Sequence, residues 1–349
     1  MKKIAVIGCG GIGSYHLSNF KNFDDIELVG FCDVIPERAE SFVKQTGQGK
    51  AFTDCKKMYD ETKPDMVFIG VPPYAHGEIE FEAIERGIHL FVQKPVALDL
   101  DLALEIQSKI EAKKLISAAG FQCRYDNLND AAKDYIAKNE IITIQASRIG
   151  GVPGVDWWRK KDLSGGQLAE QTVHQVDVLR YLFGEVESVY TVATRGFVKG
   201  SEWPGYDTDD ASTSVFKFKS GIAATMITGC YSLNGASWDS KMTFGSRSSR
   251  LDYHLCSHVD IFGIDESDLA ADVAGTVEGD GTQRRNENEK GIRVRSEGKY
   301  EALCDRAFID AVISGDGSKI RSPYADAVKT LAVVLGANKS MQTGQVVML

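Results

Sequence analysis

Ile4-Ala5-Val6-Ile7-Gly8-Cys9-Gly10-Gly11-Ile12-Gly13, running into Ser14–Phe20, joins an apolar run, a glycine-rich turn and the start of a helical pattern. This order matches a Gly-x-Gly-x-x-Gly turn between a strand and a helix. Gly8 permits the tight turn, Gly10 lets backbone approach a pyrophosphate, and Gly13 allows close helix–strand packing. Gly11 and Ile12 lie between them and open the helix, where free N–H groups and the helix dipole favour an anion. Asp33 follows Gly13 by 20 residues, at the end of the apolar run Leu28–Cys32. An acid at that place accepts hydrogen bonds from an adenosine ribose. Its charge repels a 2′-phosphate, so NAD is expected rather than NADP, with Arg38 as a partial counterweight.

Outward from this turn, short Val- and Ile-rich runs alternate with amphipathic stretches up to about residue 120. The strands expected are Ile4–Ile7, Leu28–Cys32, Met66–Gly70, Leu90–Val92 and Ile116–Ala118, with helices such as Glu78–Arg86 and Leu100–Ile110 between them. Strands linked by crossover helices make a parallel sheet. After Gly120 the pattern changes to one helix, Leu128–Ala137, and segments with period-two character: Ile141–Ile149, Val186–Thr194, Ser212–Phe218 and Ile222–Thr228. These predict an antiparallel sheet. Helical patterns at Gln171–Phe183, Tyr300–Ile313 and Ala325–Met341 accompany it. The fold class expected is therefore α/β: a Rossmann dinucleotide-binding domain over 1–122, then an α+β domain over 123–349 with a predominantly antiparallel open sheet. The stretch Gly263–Gly298 holds nine acidic and five basic residues and no aromatic, and reads as a solvated loop or edge hairpin, with a lid or subunit arm as the other reading.

Composition narrows the function classes. The chain has 349 residues and a formal net charge of −9, which disfavours binding to nucleic acid. Its seven cysteines are scattered without Cys-x-x-Cys spacing, so neither a disulfide framework nor a thiolate zinc site is suggested. The first apolar run meets Gly8 after four residues, too soon for a secretory signal, and no run is long enough for a bilayer. A cytoplasmic protein is expected. No Gly-x-Ser-x-Gly elbow or phosphate loop with a lysine is present, which argues against a hydrolase.

Five segments carry a resemblance to the glucose–fructose oxidoreductase / inositol dehydrogenase (Gfo/Idh/MocA) family: the glycine turn, Val71-Pro72-Pro73-Tyr74-Ala75-His76, Gln93-Lys94-Pro95, Gly120-Phe121-Gln122-Cys123-Arg124-Tyr125, and Ser164 through Asp177. The resemblance runs nearly end to end. It implies a nicotinamide-dependent enzyme acting on CH–OH groups, with Val71, Pro72, His76, Lys94 and Gln122 beside the cofactor. It also implies a C-terminal sheet whose exposed face makes subunit contacts, giving a dimer or tetramer. For His76 a structural role at a helix start stands equally open.

The chemistry can be argued beside that resemblance. Oxidising a secondary alcohol needs a base within hydrogen-bond reach of the hydroxyl as hydride leaves the same carbon. Lys94 follows a strand at the carboxyl end of the sheet, where ligands of such sheets bind. Gln93 stands where the family usually has glutamate. The resemblance places His174 as the second proton-handling residue, and spacings of four and three residues predict that Glu170, His174 and Asp177 share one helix face. Trp157, Trp158 and Arg159 are read as a wall for a sugar ring or, equally, as core, and Arg124 and Tyr125 as cleft residues at the domain boundary. Glu170 and His174 lack a third metal ligand, so no metal is expected. Two acids on the site face favour a neutral polyhydroxylated substrate: a sugar, cyclitol or glycoside, with the 3-hydroxyl of a glucoside favoured because some relatives act there. The alternatives are an enzyme that retains NAD and uses transient oxidation for elimination or glycoside cleavage, and a non-catalytic NAD-binding sensor.

Overall fold

Strand β1 (Lys2–Ile7) buries its last four residues and strand β4 (Met66–Ile69) buries all four of its own, the mark of strands covered on both faces. With β2 (Ile26–Cys32), β3 (Lys50–Phe52), β5 (His89–Val92) and β6 (Ser117–Ala119) they form a six-stranded sheet in the order β3-β2-β1-β4-β5-β6. Every pairing is parallel. Helices α1 (Gly11–Phe20), α2 (Pro36–Thr46), α3 (Cys55–Thr62), α4 (Glu78–Glu85) and α5 (Leu100–Ala112) make the crossovers. The order reverses between β1 and β4, so the crevice for a ligand opens at their carboxyl ends.

The computed structural model describes residues 1–233, 239–264, 277–280 and 291–349, which fall into two compact units. The first is Met1–Gln122 with Glu301–Leu331, and the second is Cys123–Tyr300 with Ala332–Leu349. The expectation that everything after residue 122 belongs to the second domain is therefore corrected. The reason is apolar: Phe308 meets Phe68 and Phe91 edge-on at 5.5 and 5.7 Å, completing the aromatic core of the first unit. Ser322 also caps the outer strand, its C=O accepting from the N–H of Ala119 and its hydroxyl donating to the Ala119 C=O, both at 2.8 Å.

The second unit is built on helix α6 (Leu128–Lys138) and strands β7 (Thr143–Gly150), β8 (Val186–Thr194), β9 (Ala211–Phe218), β10 (Ala223–Cys230), β11 (Asp239–Gly245), β12 (Arg250–His254), β13 (His258–Phe262), β14 (Val277–Asp280), β15 (Gly291–Arg295) and β16 (Val347–Met348). Their order is β14-β15-β13-β12-β11-β7-β10-β9-β8-β16, antiparallel except for the parallel pair β7/β10. In β9 buried and exposed residues alternate strictly, so one face packs while the other is open. On the packed face, Phe183 meets Phe244 edge-on at 4.9 Å. On the open face, Tyr190, Val192, Val215 and Ile227 are exposed.

Three further differences from the sequence reading stand out. The three-residue strand β3 carries too little pattern to be read. The helical pattern Gln171–Phe183 forms as α9 (Val173–Phe183), but Glu170 ends a separate helix, α8 (Gly166–Glu170), which follows a short turn of helix α7 (Lys161–Ser164). Of the stretch 263–298, residues 265–276 and 281–290 lie outside the described residues, while β14 pairs with β15 at one edge of the sheet. Helices α10 (Tyr300–Ser314) and α11 (Tyr324–Thr343) close the chain. Among the described residues no helix is long and apolar enough to cross a membrane.

Candidate functional site

The glycines of the first turn are of two kinds. Gly8 has φ +87°, and a Cβ there would lie 2.4 Å from the Gly70 carbonyl oxygen; a Cβ on Gly13 would lie 2.1 Å from that of Gly8. Both are required by packing. Above Gly10 and Gly11 there is nothing within 4 Å of where a Cβ would stand. Gly10 caps α1 without any side-chain hydrogen bond, and no acid sits in the first turn. The first N–H groups of a helix have no partner within it, so Gly11, Ile12 and Gly13 present donors and a positive dipole end to open space. A pyrophosphate fits that chemistry.

Asp33 is buried and oriented by backbone. Its two carboxylate oxygens accept from Cys9 N–H at 2.8 Å and Ile35 N–H at 2.9 Å. Each oxygen keeps a lone pair for another donor. Arg38 stands 4.0 Å from the same carboxylate with its side chain about half exposed. Cys9, in the middle of the turn, is inert: burial, then Asp33 and Cys32, push its thiol up to about 12. Val71 and Pro72 follow β4 and are half-buried. His76 Nδ1 donates to Glu80 at 2.6 Å, and Glu80 accepts from Gly77 N–H at 2.7 Å, closing the start of α4. His76 thus takes part in the helix start through Nδ1. Its Nε2 and the Oε1 of Gln122 are buried without a hydrogen-bond partner among the described residues.

Lys94 lies two residues beyond β5 and is half-buried. Its N–H donates to the Gln93 side-chain oxygen at 3.3 Å. His16 and Asp305, which no motif flagged, are joined to Gln93 through hydrogen bonds.

In the second unit the acids have partners of their own. Asp177 is held by both Nε and Nη2 of Arg124, at 2.7 and 2.6 Å, with both side chains buried. Glu170 accepts from the indole N–H of Trp158 at 2.8 Å and from the Gln171 amide. Glu170 ends α8 whereas His174 and Asp177 lie on α9, so the single face expected for all three does not form. A break at Gln171–Thr172 separates them. His174 is half-buried, its Nδ1 3.9 Å from the Cys123 sulfur, which in turn lies 3.1 Å from that of Cys256. The Cys256 contact and burial hold the Cys123 thiol well above its ordinary range. Trp158 is fully buried and belongs to the core, while Trp157 is half-buried. Arg159 lies against Asp156 at 3.1 Å and over the Trp203 ring, and Tyr125 is buried.

Two models of one family match this chain, the "Oxidoreductase family, NAD-binding Rossmann fold" over residues 2–121 and the "GFO/IDH/MocA C-terminal domain" over residues 132–245. The chain belongs to the Gfo/Idh/MocA family. Myo-inositol 2-dehydrogenase of Thermotoga maritima is 31% identical to this Gfo/Idh/MocA protein over 63% of the chain and 66% of the relative. Glucose-6-phosphate 3-dehydrogenase of Bacillus subtilis is 29% identical over 52% of the chain and 54% of the relative. These alignments thus span between half and two thirds of the relatives' lengths. The fold matches the solved structure of a levoglucosan dehydrogenase in complex with NADH, with a TM-score of 0.81, 16% identity and coverage of 99% and 98% of the two chains.

Proposed function

We propose that this family member is an NAD-dependent oxidoreductase that moves hydride between nicotinamide and a secondary alcohol or ketone of a sugar, cyclitol or glycoside. The observation that carries the cofactor half is the joint geometry of the turn: open space over Gly10 and Gly11, uncapped N–H groups, and an Asp33 carboxylate oriented by Cys9. Gly8, Gly10, Gly11, Ile12 and Gly13 would hold the pyrophosphate and Asp33 the ribose, with Arg38 flanking it and Val71, Pro72, His76, Lys94 and Gln122 further along. Bound nicotinamide supplies a two-electron hydride acceptor or donor. Lys94 takes the hydroxyl proton during oxidation and returns it during reduction, and His174 hydrogen-bonds the same oxygen or its neighbour.

The substrate half rests on charge and on the relatives. Arg124 offsets the Asp177 charge, so of the two acids expected to repel an anion only Glu170 remains, itself tied to Trp158. Glu170 is kept as a hydroxyl acceptor, with Trp157 as an apolar wall; Asp177 and Arg124 are paired with each other. Relatives named for inositol and for the 3-position of glucose 6-phosphate support a ring polyol, and the 3-hydroxyl of a glucoside is the position to test first. The exposed row Tyr190, Val192, Val215 and Ile227 supports a dimer or tetramer through the open sheet face.

The test is NAD and NADP reduction across inositols, aldoses and glucosides, with product analysis. Turnover with NAD on at least one ring polyol is expected, and His174→Ala should lower kcat more than it raises KM. Activity confined to an acyclic 2-hydroxy acid would overturn the substrate reading. NAD that co-purifies and never exchanges would redirect it to chemistry without net redox.

A further inference from the structure

Behind Lys94 runs a buried chain of hydrogen bonds that the proposed reaction has not used. Gln93 Nε2 lies 2.8 Å from His16 Nε2. His16 Nδ1 lies 2.9 Å from both oxygens of Asp305, and Asn19 Nδ2 donates to one of them at 2.8 Å. Gln93, His16 and Asp305 are all buried. Phe20, Phe68 and Phe91 wall the imidazole. The ionisable groups about it are Asp305, Tyr15 and Glu301, of which burial pushes the last two up.

The direction of every bond in this chain follows from one end. The Gln93 oxygen accepts from Lys94 N–H, so its nitrogen is the atom that faces His16. Flipping the amide would set N–H against N–H. An amide nitrogen only donates, so His16 Nε2 accepts, and the ring carries its proton on Nδ1, toward Asp305. Gly120 leaves the room this requires, since a Cβ there would lie 2.2 Å from the Gln93 oxygen.

We infer that His16 and Asp305 are positioning residues: they lock the Gln93 amide so that its oxygen holds the Lys94 backbone, and they do so while keeping the one negative charge of the chain at its far end, away from Lys94. This deepens the proposed function and rests on Lys94 being the base.

The test reverses the chain. In Gln93→Glu, a carboxylate faces the acceptor Nε2; in Asp305→Asn, an amide replaces the double acceptor. In the double variant, Nε2–H can donate to the carboxylate introduced at position 93 while Nδ1 accepts from the amide introduced at position 305. Both bonds of the imidazole thus return with opposite polarity, the Lys94 and Asn19 donors keep oxygens to face, and the total charge is the same. Each single variant should lower Tm by roughly 3–8 °C, and the double should recover to within about 2 °C of the parent. In the double variant the charge stands beside Lys94, and the acid limb of kcat/KM should move up by roughly 0.5–1.5 pH units. Single-variant losses that simply add would overturn the assigned polarity. Restored stability with an unmoved acid limb would show a structural network with no part in the reaction. Should the variants not fold, the ring nitrogens of His16 in the 15N-labelled parent decide the polarity: a proton on Nδ1 supports it, and one on Nε2 alone overturns it. Turnover retained in Lys94→Ala overturns the base and the functional half of the inference, while the stability cycle, which does not involve that side chain, stands.

Discussion

The turn after β1 and the approach to α9 are both polar and both carry acids, yet their polar groups face different things. At the turn, backbone N–H groups of α1 are left open and Asp33 is oriented by two backbone donors that leave it lone pairs. Around α9 the acids meet side chains: Arg124 takes Asp177, and Trp158 and Gln171 take Glu170. A site made by backbone is legible in a short motif, because glycine and helix start are local properties. A site made by pairing is not, because a partner such as Arg124, 53 residues from Asp177, is chosen by packing and not by sequence spacing.

The largest effect that would sharpen this contrast is expected at Lys94. Lys94→Ala should lower kcat by about 10²–10⁴-fold while NAD affinity changes little, as for loss of a general base. A loss under tenfold across the pH range would mean another group moves the proton. In the second unit, Arg124→Ala removes both guanidinium donors from the buried Asp177 carboxylate and should cost about 3–5 kcal/mol in urea unfolding. Replacing both partners by apolar residues of similar volume should restore most of it; a mild effect of the single change would break the view that these charges serve each other.

The two kinds of glycine give an intermediate test. Gly13→Ala sets a Cβ against the Gly8 carbonyl and should destabilise the protein by about 1–3 kcal/mol even without cofactor. Gly10→Ala meets open space, so Tm should hold while the shift that NAD produces in Tm shrinks. Equal behaviour of the two variants would erase the distinction between packing and binding glycines. The smallest effect concerns cofactor choice: Asp33→Ser should narrow the preference for NAD over NADP by about tenfold, near the lower value for a hydrogen bond to a charged group. Titration of both cofactors into the parent checks the premise, and equal affinities there would remove it.

Much of the first unit could be read in advance. Runs such as Met66-Val67-Phe68-Ile69 are apolar on both faces and bounded by turns, so they announce a covered parallel sheet without knowledge of their neighbours. The strict alternation of β9 likewise announces a sheet open on one side. The glycine turn, Asp33 and the place of Lys94 after β5 are all within reach of local pattern. His16 and Asp305 were not legible, although a polar residue on the buried face of α1 beside Leu17 and Phe20, and another beside Cys304 and Phe308, were the available signals.

What the sequence determined by itself is therefore what depends on neighbours along the chain: strand and helix periods, the turn, and the chemistry it offers a dinucleotide. Only the tertiary structure decided that residues 301–331 return to the first unit, that Glu170 leaves the helix of His174, and that Asp177 belongs to Arg124. These are outcomes of burial. A charged or polar side chain removed from water must find a partner, and which partner lies within about 3 Å is settled by how separate elements pack, not by the spacing of residues in the chain.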